Sequence, residues 1–153
     1  MNDSLDVTAK YIAAGSTEAS ISDLEEWTTD SSAAVRRHVA ENSRTPLHCL
    51  TVLAKDACSD VRVAVAENRY TPKWLLEEFL FNDDEDLRYS MAENSALPKD
   101  LLETLTQDEN PYVAHRAKCT LTRLTPAKSK LLHMKRFEDV DETIERIWQV
   151  RIS

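Results

Sequence analysis

One block of four residues occurs three times in this chain, at a fixed interval of 26 residues. Its copies are Val39-Ala40-Glu41-Asn42, Val65-Ala66-Glu67-Asn68 and Met91-Ala92-Glu93-Asn94. Single positions keep the same interval: Arg36, Arg62 and Arg88; Pro46, Pro72 and Pro98; Leu50, Leu76 and Leu102; Leu53, Phe79 and Leu105. A fixed interval of this length is typical of stacked repeats, in which a single unit cannot bury its apolar face alone. The interval therefore predicts a repeat array with one continuous core.

The secondary structure of the array follows from the scarcity of glycine. The 153 residues include one glycine, Gly15. Hairpins and tight turns rely on glycine, so this composition favours helices over sheets. Hydrophobic residues make up 42% of the chain and charged residues 30%, which fits a folded domain in water. No apolar run approaches the roughly 18 residues of a membrane span, and we expect no secretory signal at the first residues.

Apolar residues recur at helical spacing twice within one unit, residues 57–82. Val61, Val65 and Ala66 form the apolar stripe of a first helix, which we call helix A. A second stripe, that of helix B, consists of Leu75, Leu76, Phe79 and Leu80. The pattern predicts an all-α fold of four to five stacked helix pairs with a 26-residue period.

Other recurring residues mark the ends of these helices. Asn68 follows helix A, and asparagine tolerates the left-handed backbone found just past a helix end, so this column predicts a helix stop. Thr71-Pro72 predicts the start of helix B, with threonine as the N-cap and proline at the first helical position. The equivalent residues of the preceding unit are Asn42 and Thr45-Pro46.

We expect residues 1–153 to form a single helical-repeat domain. The predicted repeats cover approximately residues 5–30, 31–56, 57–82, 83–108 and 109–136, and the first of them is degenerate. The segment 139–152 places Val140, Ile144, Ile147 and Trp148 on one helical face. This stripe predicts a C-terminal capping helix over the last repeat. The alternative is a helix that forms a homodimer or binds a partner.

The arginine column, Arg36, Arg62 and Arg88, has two interpretations. The structural one is bonding between repeats, with carboxylates such as Asp60 and Asp86 setting the stacking register. The functional one is a row of cations that binds an anion. Regular spacing in a repeat mostly serves packing, so we favour the structural interpretation.

The order of the columns, an Asp-rich start, Val-Arg, Val-Ala-x-Asn, then proline and spaced leucines, resembles the leucine-rich repeat variant family. The resemblance covers residues 31–120 clearly and 5–30 weakly. It implies a right-handed α-solenoid, a superhelix of short paired helices akin to HEAT-like repeats, and no single activity. Some members of the family carry a cysteine cluster for iron–sulfur binding before the repeats. This chain has no cysteine before Cys49, so the resemblance implies no cofactor here.

Few residues offer the chemistry of an active site. Phosphate-binding loops, dinucleotide-binding turns and nucleophile elbows need several close glycines, and this chain has one. His115 and Cys119 are four residues apart, but a metal site needs three or four ligands. We expect no catalytic residue, no metal site and no cofactor, although acids and bases on a helical scaffold leave an enzyme as a third class. The sparse cysteines favour a reducing, cytoplasmic location.

The uneven charge of the chain bears on its partner. Residues 1–117 carry 11 basic and 22 acidic residues, a net charge of −11, which repels phosphate. Residues 118–136 carry six basic residues and no acidic one, and they either pack on the acidic body or bind a ligand. The alternative function is nucleic-acid binding or DNA repair, as in the helical-repeat alkylpurine DNA glycosylases, which use a basic groove. The charge favours a basic protein partner over nucleic acid, and we expect no membrane contact.

Aromatic residues occupy columns that other units fill with polar residues. Trp74 takes the place of His48 and Asp100, and Tyr70 lies four residues before it. Exposed tryptophan and tyrosine side chains often anchor protein interfaces. Tyr70 and Trp74 are therefore candidate partner-binding residues, and the alternative is that each packs between helices.

The remaining candidates are Tyr89 and the glutamate column, Glu41, Glu67 and Glu93. For Tyr89, as for Phe81, the sequence favours packing against a neighbour, with partner binding as the alternative. The glutamates form either a solvated face of helix A or an acidic strip for a basic partner, and the first is the commoner arrangement. Taken together, the sequence predicts a non-enzymatic module or scaffold for protein–protein interaction.

Overall fold

The computed structural model describes residues 3–124, and every regular element in this range is an α-helix. The predicted all-α class is therefore confirmed for this part of the chain. The helices are α1 (Asp3–Ala14), α2 (Ile21–Trp27), α3 (Ala33–Glu41), α4 (Leu47–Leu53), α5 (Ser59–Glu67), α6 (Lys73–Phe79), α7 (Glu85–Glu93), α8 (Lys99–Leu105) and α9 (Pro111–Leu124).

The helices keep the interval of the sequence. Helices α3, α5 and α7 have nine residues each, and their first residues are 26 apart. Helices α4, α6 and α8 have seven residues each and begin at the same interval. Each recurring residue therefore has the same place on its helix in consecutive units.

Odd-numbered helices lie against one another in succession. Helix α1 contacts α3, α3 contacts α5, α5 contacts α7, and α7 contacts α9. Helices α2 and α4 each contact the odd-numbered helices on both sides, and α8 lies against α7 and α9. Buried apolar residues form one cluster that extends from Ala14 to Ala117. The core is thus shared between neighbouring units, as expected when one helix pair cannot bury its apolar stripe alone.

Asparagines end α3 and α5, but not by the predicted mechanism. Asn42 and Asn68 are the C-cap residues, with φ of −70° and −68° and ψ of 127° and 121°. These are extended conformations, and no residue in the described part of the chain has a positive φ. The left-handed backbone predicted for the asparagine column is therefore wrong.

The asparagine side chains bond to the preceding unit instead. The Nδ2 group of Asn68 donates to the carbonyl oxygens of Ala40 at 2.7 Å and Asn42 at 3.1 Å. Its Oδ1 accepts the backbone N–H of Tyr70 at 2.9 Å. Asn42 repeats the arrangement, donating to Ala14 at 2.7 Å and accepting from Arg44 at 2.9 Å. One buried amide therefore shapes its own loop and satisfies carbonyl groups of the previous helix end.

The threonines before the prolines also have a different role from the predicted one. Helices α4 and α6 begin one residue later than expected, so that Pro46 and Pro72 occupy the N-cap position. The buried hydroxyl of Thr71 donates to the carbonyl oxygen of Val65 at 2.6 Å. This carbonyl lies in the last turn of α5, where the only backbone donor that reaches it is the N–H of the C-cap residue Asn68, at 3.3 Å. The predicted threonine N-caps are wrong, and these hydroxyls complete the end of the preceding helix.

The two ends of the described structure differ from the central units. Helices α1 and α2 occupy the predicted degenerate first repeat, where Trp27 packs half-buried against the core. Helix α9 is the equivalent of α7 in the next unit, but it has 14 residues where α7 has nine, so it is longer at its C-terminal end. The predicted second helix of the last repeat and the predicted capping or dimerisation helix at 139–152 lie outside the described residues.

Candidate interaction surface

The arginine column ties consecutive loops together. Arg36 donates from Nε and Nη2 to the carboxylate of Asp56 at 2.7 and 2.9 Å, and from Nη1 to the carbonyl oxygen of Asp30 at 2.7 Å. Arg88 donates to Asp108 at 2.8 and 3.2 Å in the same way. Each guanidinium thus joins the loop before its own helix to the equivalent loop of the next unit. Because these donors are already used inside the protein, the column is poorly suited to binding an external anion.

The carboxylates predicted to pair with these arginines are not the observed partners. Asp60 and Asp86 are exposed, whereas the bonds of Arg62 go to the carboxylate of Asp84 and to the carbonyl oxygen of Asp56. The aspartate that serves the other two arginines is replaced by asparagine at position 82. The buried Nε of Arg62 consequently has no hydrogen-bond partner.

These bonds shift the acidity of the partner carboxyl groups. The hydrogen bond from Arg36 holds the pKa of Asp56 below its ordinary value, and the backbone N–H of Cys58 adds to the effect against the opposing influence of burial. For Asp84, burial raises the pKa, but hydrogen bonds from Ser59 and Arg62 outweigh it and the net shift is downward. Both groups are therefore held in the ionised form that the bonds require.

Acid is expected to destabilise the protein through these carboxylates. A carboxyl group with a lowered pKa in the folded state binds protons more readily in the unfolded chain, so falling pH favours unfolding. The contribution of Asp56 is fully present above its unfolded pKa and is lost as the pH falls from about 4 through the lowered folded value. In urea unfolding at a series of pH values, Asp56→Asn should be less stable than wild type at neutral pH but lose less stability on acidification. Equal losses in the two proteins would contradict this assignment.

The glutamate column is exposed along the odd-numbered helices. Glu41 pairs with Arg37 of its own helix at 2.8 Å. Glu67 accepts the hydroxyl of Ser90 at 3.4 Å, and Glu93 pairs with Arg116 of the next odd-numbered helix. These carboxylates are still reachable from solvent, since the side chains of Glu41 and Glu93 are 38% and 53% exposed.

Helices α5 and α7 expose acids near both ends. Asp60 and Glu67 lie near the ends of α5, and Asp86 and Glu93 near those of α7, all exposed. We call these four residues the acidic face. Tyr89, in the middle of α7, is 40% exposed, so the favoured interpretation that it packs away from solvent is only partly correct. An aromatic ring accompanied by carboxylates suits a partner that carries cations.

Tyr70 and Trp74 are both exposed, and we call this pair the aromatic edge. Tyr70 lies in the loop between α5 and α6 and is 58% exposed, with the guanidinium carbon of Arg69 5.4 Å from its ring centroid. Trp74 lies in the first turn of α6 and is 47% exposed. The exposure of these side chains favours the surface interpretation over packing between helices.

A groove of about 210 Å³ is formed by the end of α5, the start of α6 and the loop after α7, and neither Tyr70 nor Trp74 is among its lining residues. Its lining includes Glu67 from α5, together with Arg69 and Lys73, the residues that precede Tyr70 and Trp74. Lys73 pairs with Asp100 at 2.5 Å, so its charge is already partly neutralised. The structure therefore places Glu67 in one groove with the sequence neighbours of Tyr70 and Trp74, while Glu41 and Glu93 lie on α3 and α7.

Two other aromatic residues are more exposed than any candidate chosen from the sequence. Phe81 is 82% exposed and Tyr112 is 77% exposed. The prediction that Phe81 packs against a neighbour is therefore wrong. The signal was present in its column, since the equivalent residues are Lys55 and Gln107, which are polar and exposed. This column is exposed in all three units, so an apolar residue there is exposed as well.

Within residues 3–124, no group of three or more histidine, cysteine or acidic side chains is placed to hold a metal ion. Cys119 Sγ lies 3.5 Å from Nε2 of His115, a contact between two residues of one helix. No helix in this range is long and apolar enough to cross a membrane. Comparison with protein-family models, curated proteins and solved structures finds no significant match to this chain.

Proposed function

We propose that this chain is a non-enzymatic protein-binding module, a right-handed α-solenoid of the leucine-rich repeat variant type. Three features support the stacked arrangement: the constant helix interval, the succession of contacts between odd-numbered helices, and the arginine and asparagine bonds between units. The handedness and the family rest on the resemblance of the columns. A stack of this kind provides a long, rigid surface whose exposed positions can vary without disturbing the core.

The observation that carries the binding role is the exposure of Tyr70 and Trp74 at 58% and 47%. The surrounding helices are well packed, with Leu75 and Leu76 buried next to Trp74. The core is therefore complete without these two rings, so their presence is better explained by a partner. Tyrosine and tryptophan give large contact areas while losing little conformational freedom, which is why they dominate interface energetics.

The partner fits best as a basic protein. Glu67 shares a groove with the residues that precede Tyr70 and Trp74, and the acidic face continues across α5 and α7. The acidic face attracts lysine and arginine and repels phosphate, which argues against nucleic acid, whereas the residues that precede Tyr70 and Trp74, Arg69 and Lys73, are themselves basic. The cysteines at 49, 58 and 119 are all free thiols, which is compatible with a cytoplasmic location.

The double variant Tyr70→Ala, Trp74→Ala is expected to lose partner binding while keeping its fold. Both side chains are exposed, so their removal should change the free energy of unfolding little. Loss of two aromatic anchors should weaken the complex by about tenfold or more. Affinity capture with tagged wild-type and variant protein, compared by quantitative mass spectrometry, would identify proteins retained only by the wild type.

The matched control is Glu78→Ala, which removes an exposed side chain from the same helix, α6. This variant should capture the same proteins as the wild type. Circular dichroism and thermal unfolding of all three proteins show whether a loss of capture reflects binding or folding. A set of captured proteins that does not change in the double variant would refute the aromatic edge as the binding site.

A further inference from the structure

A second groove lies between the loop after α6 and the loop after α8. It has a volume of about 360 Å³ and is lined partly by Leu80 and Leu105, which form an apolar wall. The ion pair between Arg88 and Asp108, in which each side chain is 5% exposed, contributes to the same lining. Buried leucines and a buried ion pair make this a well-ordered groove, since their rotamers are held by packing and by bidentate bonds.

Phe81 belongs to the lining of this groove and is 82% exposed. The equivalent positions of the neighbouring units carry Lys55 and Gln107, so the fold does not require an apolar residue there. A phenylalanine ring gains roughly 25 cal/mol for each Å² of apolar surface removed from water, so an exposed ring can contribute considerable energy to a complex. This ring is the exposed apolar part of the groove, and the leucines beside it, which are 9% and 2% exposed, lie beneath its surface.

The rim of the groove is acidic. Its charged lining residues are Asp83, Arg88, Asp108 and Glu109, three carboxylates and one guanidinium. The guanidinium is already bonded to Asp108 at 2.8 Å and lies 3.5 Å from Glu109. Asp83 is exposed and the side chain of Glu109 is 89% exposed, so both carboxylates can reach a bound partner. A cation on the partner can also stack on the face of the Phe81 ring.

We propose that this groove binds a protein segment in which one large apolar side chain is flanked by lysine or arginine. The apolar side chain fills the space between Leu80, Phe81 and Leu105, and the flanking cations pair with Asp83 and Glu109. Two copies of this acidic rim repel each other, so charge complementarity favours a basic segment over a symmetric pairing of the groove with itself. This site is separate from the aromatic edge, because short connections place loops after odd-numbered and even-numbered helices at opposite ends of the helix pairs.

The test uses the full-length protein and fluorescein-labelled synthetic peptides, with fluorescence anisotropy as the measurement. The probe peptide carries one phenylalanine between two lysine–arginine pairs. In one control peptide serine replaces the phenylalanine, and in the other glutamates replace the basic residues. The wild-type protein should bind the probe about tenfold or more tightly than either control, because each control lacks one of the two matching features.

Protein variants then locate the binding site. Phe81→Gln introduces the residue type found at the equivalent Gln107, so the fold should be kept, and it should weaken binding of the probe by about tenfold. Asp83→Asn with Glu109→Gln should also weaken binding and reduce its dependence on salt. The control Val52→Thr alters an exposed apolar residue on α4 and should leave the affinity unchanged.

The outcomes are distinguishable. Equal affinity of wild type and Phe81→Gln for the probe, or equal binding of the phenylalanine and serine peptides, overturns the proposal. Sedimentation velocity tests whether a second copy of the chain fills the groove instead. A wild-type dimer that is lost in Phe81→Gln would show this and would also overturn the proposal. None of these results depends on Tyr70 or Trp74, so this groove and the aromatic edge are tested independently.

Discussion

Replacing Arg88 with alanine is expected to lower the free energy of unfolding by about 3–5 kcal/mol, because it leaves a buried carboxylate without its counter-charge. Arg88 and Asp108 are each 5% exposed and share two hydrogen bonds, at 2.8 and 3.2 Å. The variant also removes the bond from Nη1 to the carbonyl oxygen of Asn82, so the loop before α7 loses an anchor. Urea unfolding followed by circular dichroism measures the change.

The matched control is Arg37→Ala, which removes an exposed arginine from α3, the helix equivalent to α7. Arg37 pairs with Glu41 at 2.8 Å, but the two side chains are 52% and 38% exposed, so the loss should be below about 1 kcal/mol. The double variant Arg88→Ala, Asp108→Ala should be no less stable than Arg88→Ala alone, since it removes the unpaired charge. Similar effects of Arg37→Ala and Arg88→Ala would show that the buried pair has no special role.

Replacing Asn68 with alanine is expected to cost about 2–4 kcal/mol, since a buried amide with several hydrogen-bond partners is lost. Its Nδ2 group bonds to Ala40 and Asn42 of the preceding unit, and its Oδ1 accepts from Tyr70. The carbonyl groups left behind are buried between the units, where water cannot easily replace the lost donor. Thermal and urea unfolding would both report this loss.

Two further substitutions at this position separate the bonding role from a preference for a helix stop. Asn68→Asp keeps the acceptor for Tyr70 but cannot donate to the carbonyl oxygens, so it should be at least as destabilising as alanine. Asn68→Gly would be well tolerated if a left-handed backbone were needed. Since φ at Asn68 is −68°, we expect glycine to destabilise instead. A glycine variant as stable as the wild type would contradict the bonding role.

The helices could be predicted from the sequence because their causes are local and repeated. The stripe of Val61, Val65 and Ala66 has the spacing of a helix face, and its recurrence in neighbouring units strengthens an otherwise short signal. The bond partners could not be predicted in this way. Asn68 and Thr71 have common roles at helix ends, and only the packing of neighbouring helices decides which carbonyl group each of them reaches.

One residue, Asn82, made the carboxylate partners of the arginine column difficult to predict from the sequence. The aspartate column at Asp30, Asp56 and Asp108 has the 26-residue interval, but Asn82 interrupts it in the unit between Asp56 and Asp108. The sequence favours Asp60 and Asp86 because they lie two residues before Arg62 and Arg88, whereas the aspartates that bond to Arg36 and Arg88 lie 20 residues after them. The same interruption explains why Arg62 turns to Asp84 and leaves its Nε without a partner.

The bonds of Arg36 and Asn42 also determine how such a chain can change in length. Each residue reaches only an adjoining loop or helix end, and the required acceptors recur at the same interval. A duplicated complete unit would therefore carry its own arginine and asparagine bonds and fit between the existing units. A partial duplication would change the spacing, so that the donors and acceptors of the units around the insertion would no longer meet. Insertion or deletion of one whole unit should therefore be tolerated, because each unit contacts only its neighbours. Each such change would lengthen or shorten the surface available to a partner while the packing of the other units stays the same.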